Sequence, residues 1–150
     1  MKIVRKISEL RAELNGEIGF VPTMGAFHEG HLSLMRKAKA VSNCVVVSLF
    51  VNPLQFGDSE DLANYPRDEA NDFRMAEQVG VDIVFAPHSQ ELVGNNYTSV
   101  HVSGISELWE GEFRPGHFDG VATIVCKLFN IVGKCSAIFG LKDYQQCMVI

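Results

Sequence analysis

His28 and His31 stand three residues apart, with Gly30 between them, in the stretch Pro22-Thr23-Met24-Gly25-Ala26-Phe27-His28-Glu29-Gly30-His31. An apolar strand-like run, Ile18 to Val21, precedes the stretch, and an amphipathic helix-like run (Leu32, Leu34, Met35, Ala38) follows it. The histidines therefore fall at a strand-to-helix turn. A helix N-terminus carries unpaired N–H groups and about half a positive charge, so it favours anions. Imidazoles mounted there add hydrogen-bond donors for phosphate oxygens, and residues three apart share one helix face. The stretch reads as a nucleotide-phosphate site. Gly25 is expected to take a turn conformation closed to residues with a β-carbon, and Gly30 to let the backbone approach a ligand closely. Two other readings stay open here. Two histidines are too few ligands for zinc, and no Cys or acid is spaced to complete such a site; they could also be capping or surface residues. Neither the Gly-x-Gly-x-x-Gly dinucleotide signature nor a phosphate loop ending in Gly-Lys-Ser/Thr occurs.

The elements that must carry this turn alternate along the chain. A helix is predicted over Ile7–Leu14, a strand over Ile18–Val21 and a helix reaching about Val41. The β-branched run Cys44–Val51 marks a strand buried on both faces. Pro66 is expected to open a helix with Asp68 and Glu69 in its first turn, running to Val79 and stopped by Gly80. Asp82–Pro87 predicts the next buried strand, and Thr98–Val102 a strand or edge element. Phe118–Val132 predicts a helix ended by Gly133, then a short strand over Ser136–Gly140 and a last helix from about Lys142–Asp143. The acid-rich stretch Gly57 to Tyr65 predicts a mobile surface loop. Strands alternating with helices imply right-handed crossovers: an α/β, Rossmann-like, mainly parallel sheet with helices on both faces. Such sheets bind ligands beyond the carboxyl ends of their strands, where the strand order switches.

Three polar clusters occupy those positions: Thr23–His31, Asn52-Pro53-Leu54-Gln55-Phe56-Gly57, and Gly140-Leu141-Lys142-Asp143. The amide of Gln55 can point into the crevice and pair with a hydroxyl or carboxylate. Lys142 could neutralise phosphate while Asp143 accepts from ribose hydroxyls, or Asp143 could be a helix N-cap. One of Gln145 and Gln146 should face the crevice. Arg114, in Arg114-Pro115-Gly116-His117-Phe118, could close over the site or be an exposed arginine.

The 150 residues are long enough for one domain with a real core, and 47% apolar with 21% charged residues is ordinary for a soluble domain. A net charge of -5 without a basic block argues against nucleic acid as the main partner. No apolar run approaches the roughly 20 residues of a membrane span, and the N-terminus moves directly into a polar, helix-like segment rather than a secretory signal. Cys44, Cys126, Cys135 and Cys147 form no Cys-x-x-Cys pair and are expected to be reduced core thiols of a cytoplasmic protein. The apolar, uncapped end Tyr144–Ile150 suggests a domain cut from a longer protein.

Read together, Pro22–His31, Val51–Phe56, Tyr65-Pro66-Arg67, Phe113–Phe118, Gly120-Val121 and Gly140–Gln146 resemble the pantothenate synthetase (pantoate–β-alanine ligase) family of the nucleotidylyltransferase superfamily. The resemblance covers nearly the whole chain, in order, and points to the N-terminal nucleotide- and pantoate-binding domain over residues 1–150. It implies that ATP and pantoate give an enzyme-bound pantoyl adenylate and pyrophosphate, and that β-alanine then releases pantothenate and AMP. It further implies that Met24, Gly25, Ala26, Phe27, His28, Glu29, Gly30 and His31, with Gly140, Leu141, Lys142 and Asp143, hold ATP. His31 would be the proton donor and His28 its phosphate-binding companion. Gln55 and Gln146 would grip pantoate, Mg²⁺ would enter through the ATP phosphates, and the enzyme would be a cytoplasmic homodimer. Leu141 departs from the family, which usually has a polar residue there, commonly Glu. The family's C-terminal domain, with a Ser-x-Arg-type phosphate loop, is absent from this chain. The competing expectations are an adenylyltransferase with another acceptor, and a nucleotide-binding module without turnover.

Overall fold

Side chains on opposite faces of the strands build two separate cores, which is what a sheet covered on both sides requires. The computed structural model describes residues 1–57 and 62–150. Its elements, in chain order, are β1 (Lys2–Val4), α1 (Ile7–Glu13), β2 (Ile18–Thr23), α2 (Glu29–Val41), β3 (Cys44–Leu49), α3 (Glu69–Gln78), β4 (Ile83–Phe85), α4 (Ser89–Leu92), α5 (Glu110–Phe113), α6 (His117–Val132), β5 (Cys135–Ala137) and α7 (Tyr144–Val149). One-turn 3-10 helices at Pro53–Gln55, Ile105–Glu107 and Leu141–Asp143 link them.

The five strands form one parallel sheet in the order β1-β4-β3-β2-β5, with Ile18 beside Cys44 on one flank and beside Cys135 on the other. Phe20, Cys44, Val46, Ile83 and Phe85 pack with Leu10 of α1 and with Val121, Ile124, Val125 and Leu128 of α6. The intervening residues Val21, Val45, Val47, Leu49 and Val84 pack against Leu32, Met35 and Ala38 of α2 and Ala76 of α3. From β2 the chain steps outward through β3 and β4, then returns to place β5 on the other side of β2. The order therefore switches between β2 and β5, which puts the turns at 23–31 and 140–143 side by side at one crevice.

Several expectations change. β1 was not expected: only three residues long at the sheet edge, it carries no period that distinguishes it from a helix start. Pro66 does not open α3. Asp68 is its N-cap, accepting a 3.0 Å hydrogen bond from the Asn71 N–H, so the helix begins at Glu69. Thr98–Val102 is irregular, and the Val100 N–H donates to Thr123 Oγ1 (2.9 Å) instead of to a neighbouring strand. β3 stops at Leu49 and β5 at Ala137, because the chain turns there into the loops that line the crevice. Of the cysteines only Cys44 is a core thiol; Cys135 and Cys147 are half-buried and Cys126 is exposed. The expected loop from Gly57 to Tyr65 lies partly outside the described residues, at positions 58–61, while Tyr65 packs edge-on to Phe56 with ring centroids 5.7 Å apart. Among the described residues no helix is long and apolar enough to cross a membrane.

Candidate active site

A cavity of about 1090 Å³ opens at the switch point. Met24, His28, Gly30, His31, Gln55, Gly140, Leu141, Lys142, Asp143 and Gln146, drawn from all three polar clusters, line it. Its inner wall is apolar, with Pro22, Phe50, Val121, Val125 and Phe139 among the lining residues. Gly25, Ala26, Phe27 and Glu29 are not part of that lining. They build the turn, Phe27 entering the core and Glu29 forming an exposed ion pair with Arg36.

The turn is held from α3. Asp72, only 1% exposed, accepts from the N–H of Ala26 (2.9 Å) and of Phe27 (2.7 Å). Gly25 and Ala26 both have positive φ, +87° and +53°, so the carboxylate fixes a backbone that Ala26 would otherwise avoid. Nothing in the histidine motif announces this residue. Its signal is a carboxylate one helical turn from buried Ala76, on the face α3 turns to the core.

The imidazoles themselves cap α2. His28 Nδ1 accepts from the Gly30 N–H (3.1 Å), and His31 Nδ1 accepts from the His28 N–H (3.3 Å). A ring nitrogen that accepts carries no proton, so each neutral ring keeps its hydrogen on Nε2. The rings lie 4.2 Å apart, centroid to centroid, and Phe27 packs 5.5 Å from His31. The capping alternative and the phosphate reading are thus not rivals: capping aims two Nε2–H donors. Gly30 lines the cavity and has a steric role beside the one expected. A β-carbon there would lie 2.7 Å from His28 Cε1, so its small size makes room for an imidazole.

Burial, with His28 beside it, lowers the pKa of His31 below its ordinary 6.5. The unfolded chain therefore binds this proton at a pH where the folded chain does not. That stability is complete above about pH 6.5 and is lost as pH falls through the lowered value. Between about pH 7.5 and 5.5 acidification should lower the thermal midpoint of the unmodified chain relative to that of His31→Ala, His101 with its raised pKa acting in the opposite sense in both. Identical pH slopes would contradict this.

On the far side of the crevice, Asn52 (1% exposed) gives one amide group to Gln55 Oε1 (3.0 Å) and to the Gly120 carbonyl (3.1 Å). With its oxygen so engaged, Gln55, which lines the cavity, has its NH₂ as the remaining polar group of its side chain. Asn52 lies inside a motif singled out above, but its role shows only once α6 is in place. Both Gln145 and Gln146 line the cavity. The amide of Gln145 is tied to the Ile105 and Leu108 carbonyls (2.8 and 2.6 Å) and the Glu110 N–H (3.1 Å). Lys142 pairs with Asp143 at 2.8 Å, which raises the lysine's pKa, and Asp143 makes no side-chain cap. Arg114 lines the cavity, 3.4 Å from Glu110 Oε1. Ser48 Oγ, buried beneath the cavity, finds no hydrogen-bond partner among the described residues. Among those residues no three or more His, Cys, Asp or Glu are grouped to hold a metal.

A parallel crossover sheet with donors and a cation gathered at its switch point is an α/β arrangement of the kind that binds nucleotides. The chain belongs to the family described as pantoate-beta-alanine ligase, whose model matches residues 2–150. It is 53% identical over 155 aligned residues to the pantothenate synthetase of Aquifex aeolicus, covering 99% of this chain and 55% of that protein. The crystal structure of pantothenate synthetase from Thermus thermophilus superposes with a TM-score of 0.97 at 49% identity, covering 99% of this chain and 55% of that one. The ligase from Francisella tularensis, solved with Beta-gamma ATP and Beta-alanine, gives 0.94 at 39% identity, with coverage of 99% and 60%. The chain thus spans little more than half the length of the relatives it matches.

Proposed function

We propose that residues 1–150 form the nucleotide- and pantoate-binding part of a ligase that condenses pantoate with β-alanine at the expense of ATP. A pantoate carboxylate oxygen attacks the α-phosphorus and pyrophosphate leaves. The β-alanine amine then attacks the acyl carbon of the adenylate, and AMP leaves. The carrying observation is the pair of imidazoles with both Nδ1 atoms occupied by backbone N–H groups, on the wall of a cavity shared with Gln55 and Gln146.

In this reading His28, His31 and Lys142 meet the phosphates, His31 donating a hydrogen bond from its Nε2–H to the departing pyrophosphate. Gly25, Ala26, Phe27 and Glu29 act through the turn that aims them. Met24, Gly30, Gly140, Leu141 and Asp143 complete the ATP wall. Gln55 and Gln146 hold the hydroxyls and carboxylate of pantoate, whose methyl groups suit the apolar inner wall. Catalysis is then alignment of a carboxylate with phosphorus plus stabilisation of growing charge. Imidazole N–H and ammonium donors suit phosphate oxygens and not a hard cation, so Mg²⁺ would ride on the phosphates. Exposed Leu108, Trp109 and Phe113 support a homodimer, and four free cysteines support a cytoplasmic setting.

Calorimetry with ATP and pantoate, joined to a pyrophosphate-release assay, tests the reading. The chain should bind both, weakly, and release pyrophosphate slowly and only with pantoate. ATP binding without pantoate-dependent release would favour a nucleotide-binding module. Gln55→Ala should abolish measurable pantoate binding and spare ATP; unchanged pantoate affinity would favour another acceptor. Gly30→Ala should lower ATP affinity about tenfold by displacing the His28 ring.

A further inference from the structure

We infer that His117 is a positioning residue that sets the place of Gln55 from the first turn of α6. The inference rests on the reading of Gln55 as a pantoate contact. His117 is the first residue of α6, 8% exposed, with its ring set edge-on against Phe118 at 4.9 Å. Its Nδ1 lies 2.9 Å from the main-chain carbonyl oxygen of Gln55, and its Nε2 lies 3.4 Å from Arg114 Nη1. A carbonyl only accepts and a guanidinium only donates. The contacts assign the ring's hydrogen to Nδ1 and turn its Nε2 lone pair to Arg114. This tautomer is the reverse of that in His28 and His31.

The same helix reaches the same residue a second way. Gly120 packs so close to the 3-10 turn that a β-carbon on it would lie 2.2 Å from the Leu54 oxygen and 2.5 Å from the Gln55 nitrogen. Its carbonyl accepts from Asn52, which also holds Gln55 Oε1. The main chain and the side chain of Gln55 are thus both fixed from α6, by His117 and through Asn52. With Arg114 tied in turn to Glu110, a run of groups along the cavity wall ends at the amide that would meet the substrate.

Asparagine can place an N–H where His117 has Nδ1, whereas glutamine reaches to the position of Nε2. Pantoate and ATP affinities of the unmodified chain, His117→Asn and His117→Gln are compared by calorimetry, with thermal melts to confirm folding. His117→Asn should stay within about threefold of the unmodified pantoate affinity, and His117→Gln should lose about tenfold or more, the size of one well-made hydrogen bond. ATP affinity should not move in either. Equal pantoate affinity in all three overturns this inference alone, as does parallel loss of ATP and pantoate or an equal loss in both variants. An unmodified chain that binds ATP but no pantoate overturns the reading of Gln55 and this inference with it. Nitrogen-15 spectra of the unmodified chain give an answer that depends on no variant: His117 should show a protonated Nδ1 and a bare Nε2, and the opposite tautomer contradicts the assignment.

Discussion

His31→Ala lowers pantoate-dependent pyrophosphate release about a hundredfold or more relative to the unmodified chain, however slow that chain is by itself. Loss of one preorganised donor to developing oxyanion charge typically costs this much. The substitution has further consequences at this turn. The His31 ring accepts the His28 N–H and packs 4.2 Å from the His28 ring, so alanine also loosens its companion. His31→Asn keeps a short polar group that can still cap the His28 N–H while removing the Nε2 donor, so it should restore stability without restoring rate. The measurement is single-turnover pyrophosphate release at saturating ATP. A His31→Ala rate within about threefold of the unmodified chain would remove the residue from the chemistry.

Asp72→Ala produces the largest loss of stability at the site, about 3 kcal/mol, because two charge-assisted hydrogen bonds vanish from a carboxylate that is 1% exposed. Ala26, at φ +53°, then has nothing to hold it in the left-handed region, and the His28–His31 cap moves with it. ATP affinity should fall by about tenfold or more even under conditions where the variant is fully folded. Asp72→Asn is intermediate, since its amide oxygen accepts one N–H while its NH₂ faces the other. Urea denaturation and calorimetry at matched folded fractions separate the two effects. A variant as stable as the unmodified chain would show that the turn does not depend on Asp72.

The residues that touch the cavity were legible from the sequence because strand-to-helix turns in a parallel sheet all emerge at one end, so motifs after β2, β3 and β5 had to meet. The residues that aim them were not. Asp72 acts across 45 or more positions on a backbone N–H, a partnership with no pattern along the chain. Asn52 and His117 matter only because α6 comes close enough, through Gly120, to hold the turn at Leu54–Gln55. Gly30 was visible as a glycine, but its reason is the volume of a neighbouring imidazole, which spacing does not express. The edges of elements shifted for local reasons. Asp68, and not the proline before it, sets the start of α3, and β1 is too short to show a period.

The account depends on two Nε2–H donors at the N-terminus of α2 meeting a triphosphate. Long-range proton–nitrogen spectra of the imidazoles during an ATP titration test this directly, since the chain's five histidines include His88 and His101, which do not line the cavity, as internal references. The Nε2 signals of His28 and His31 should shift together and saturate at one ATP concentration, with their Nδ1 signals remaining those of acceptors and His88 and His101 still. Saturating ATP that leaves both Nε2 signals in place, or moves only His88 or His101, would contradict the account.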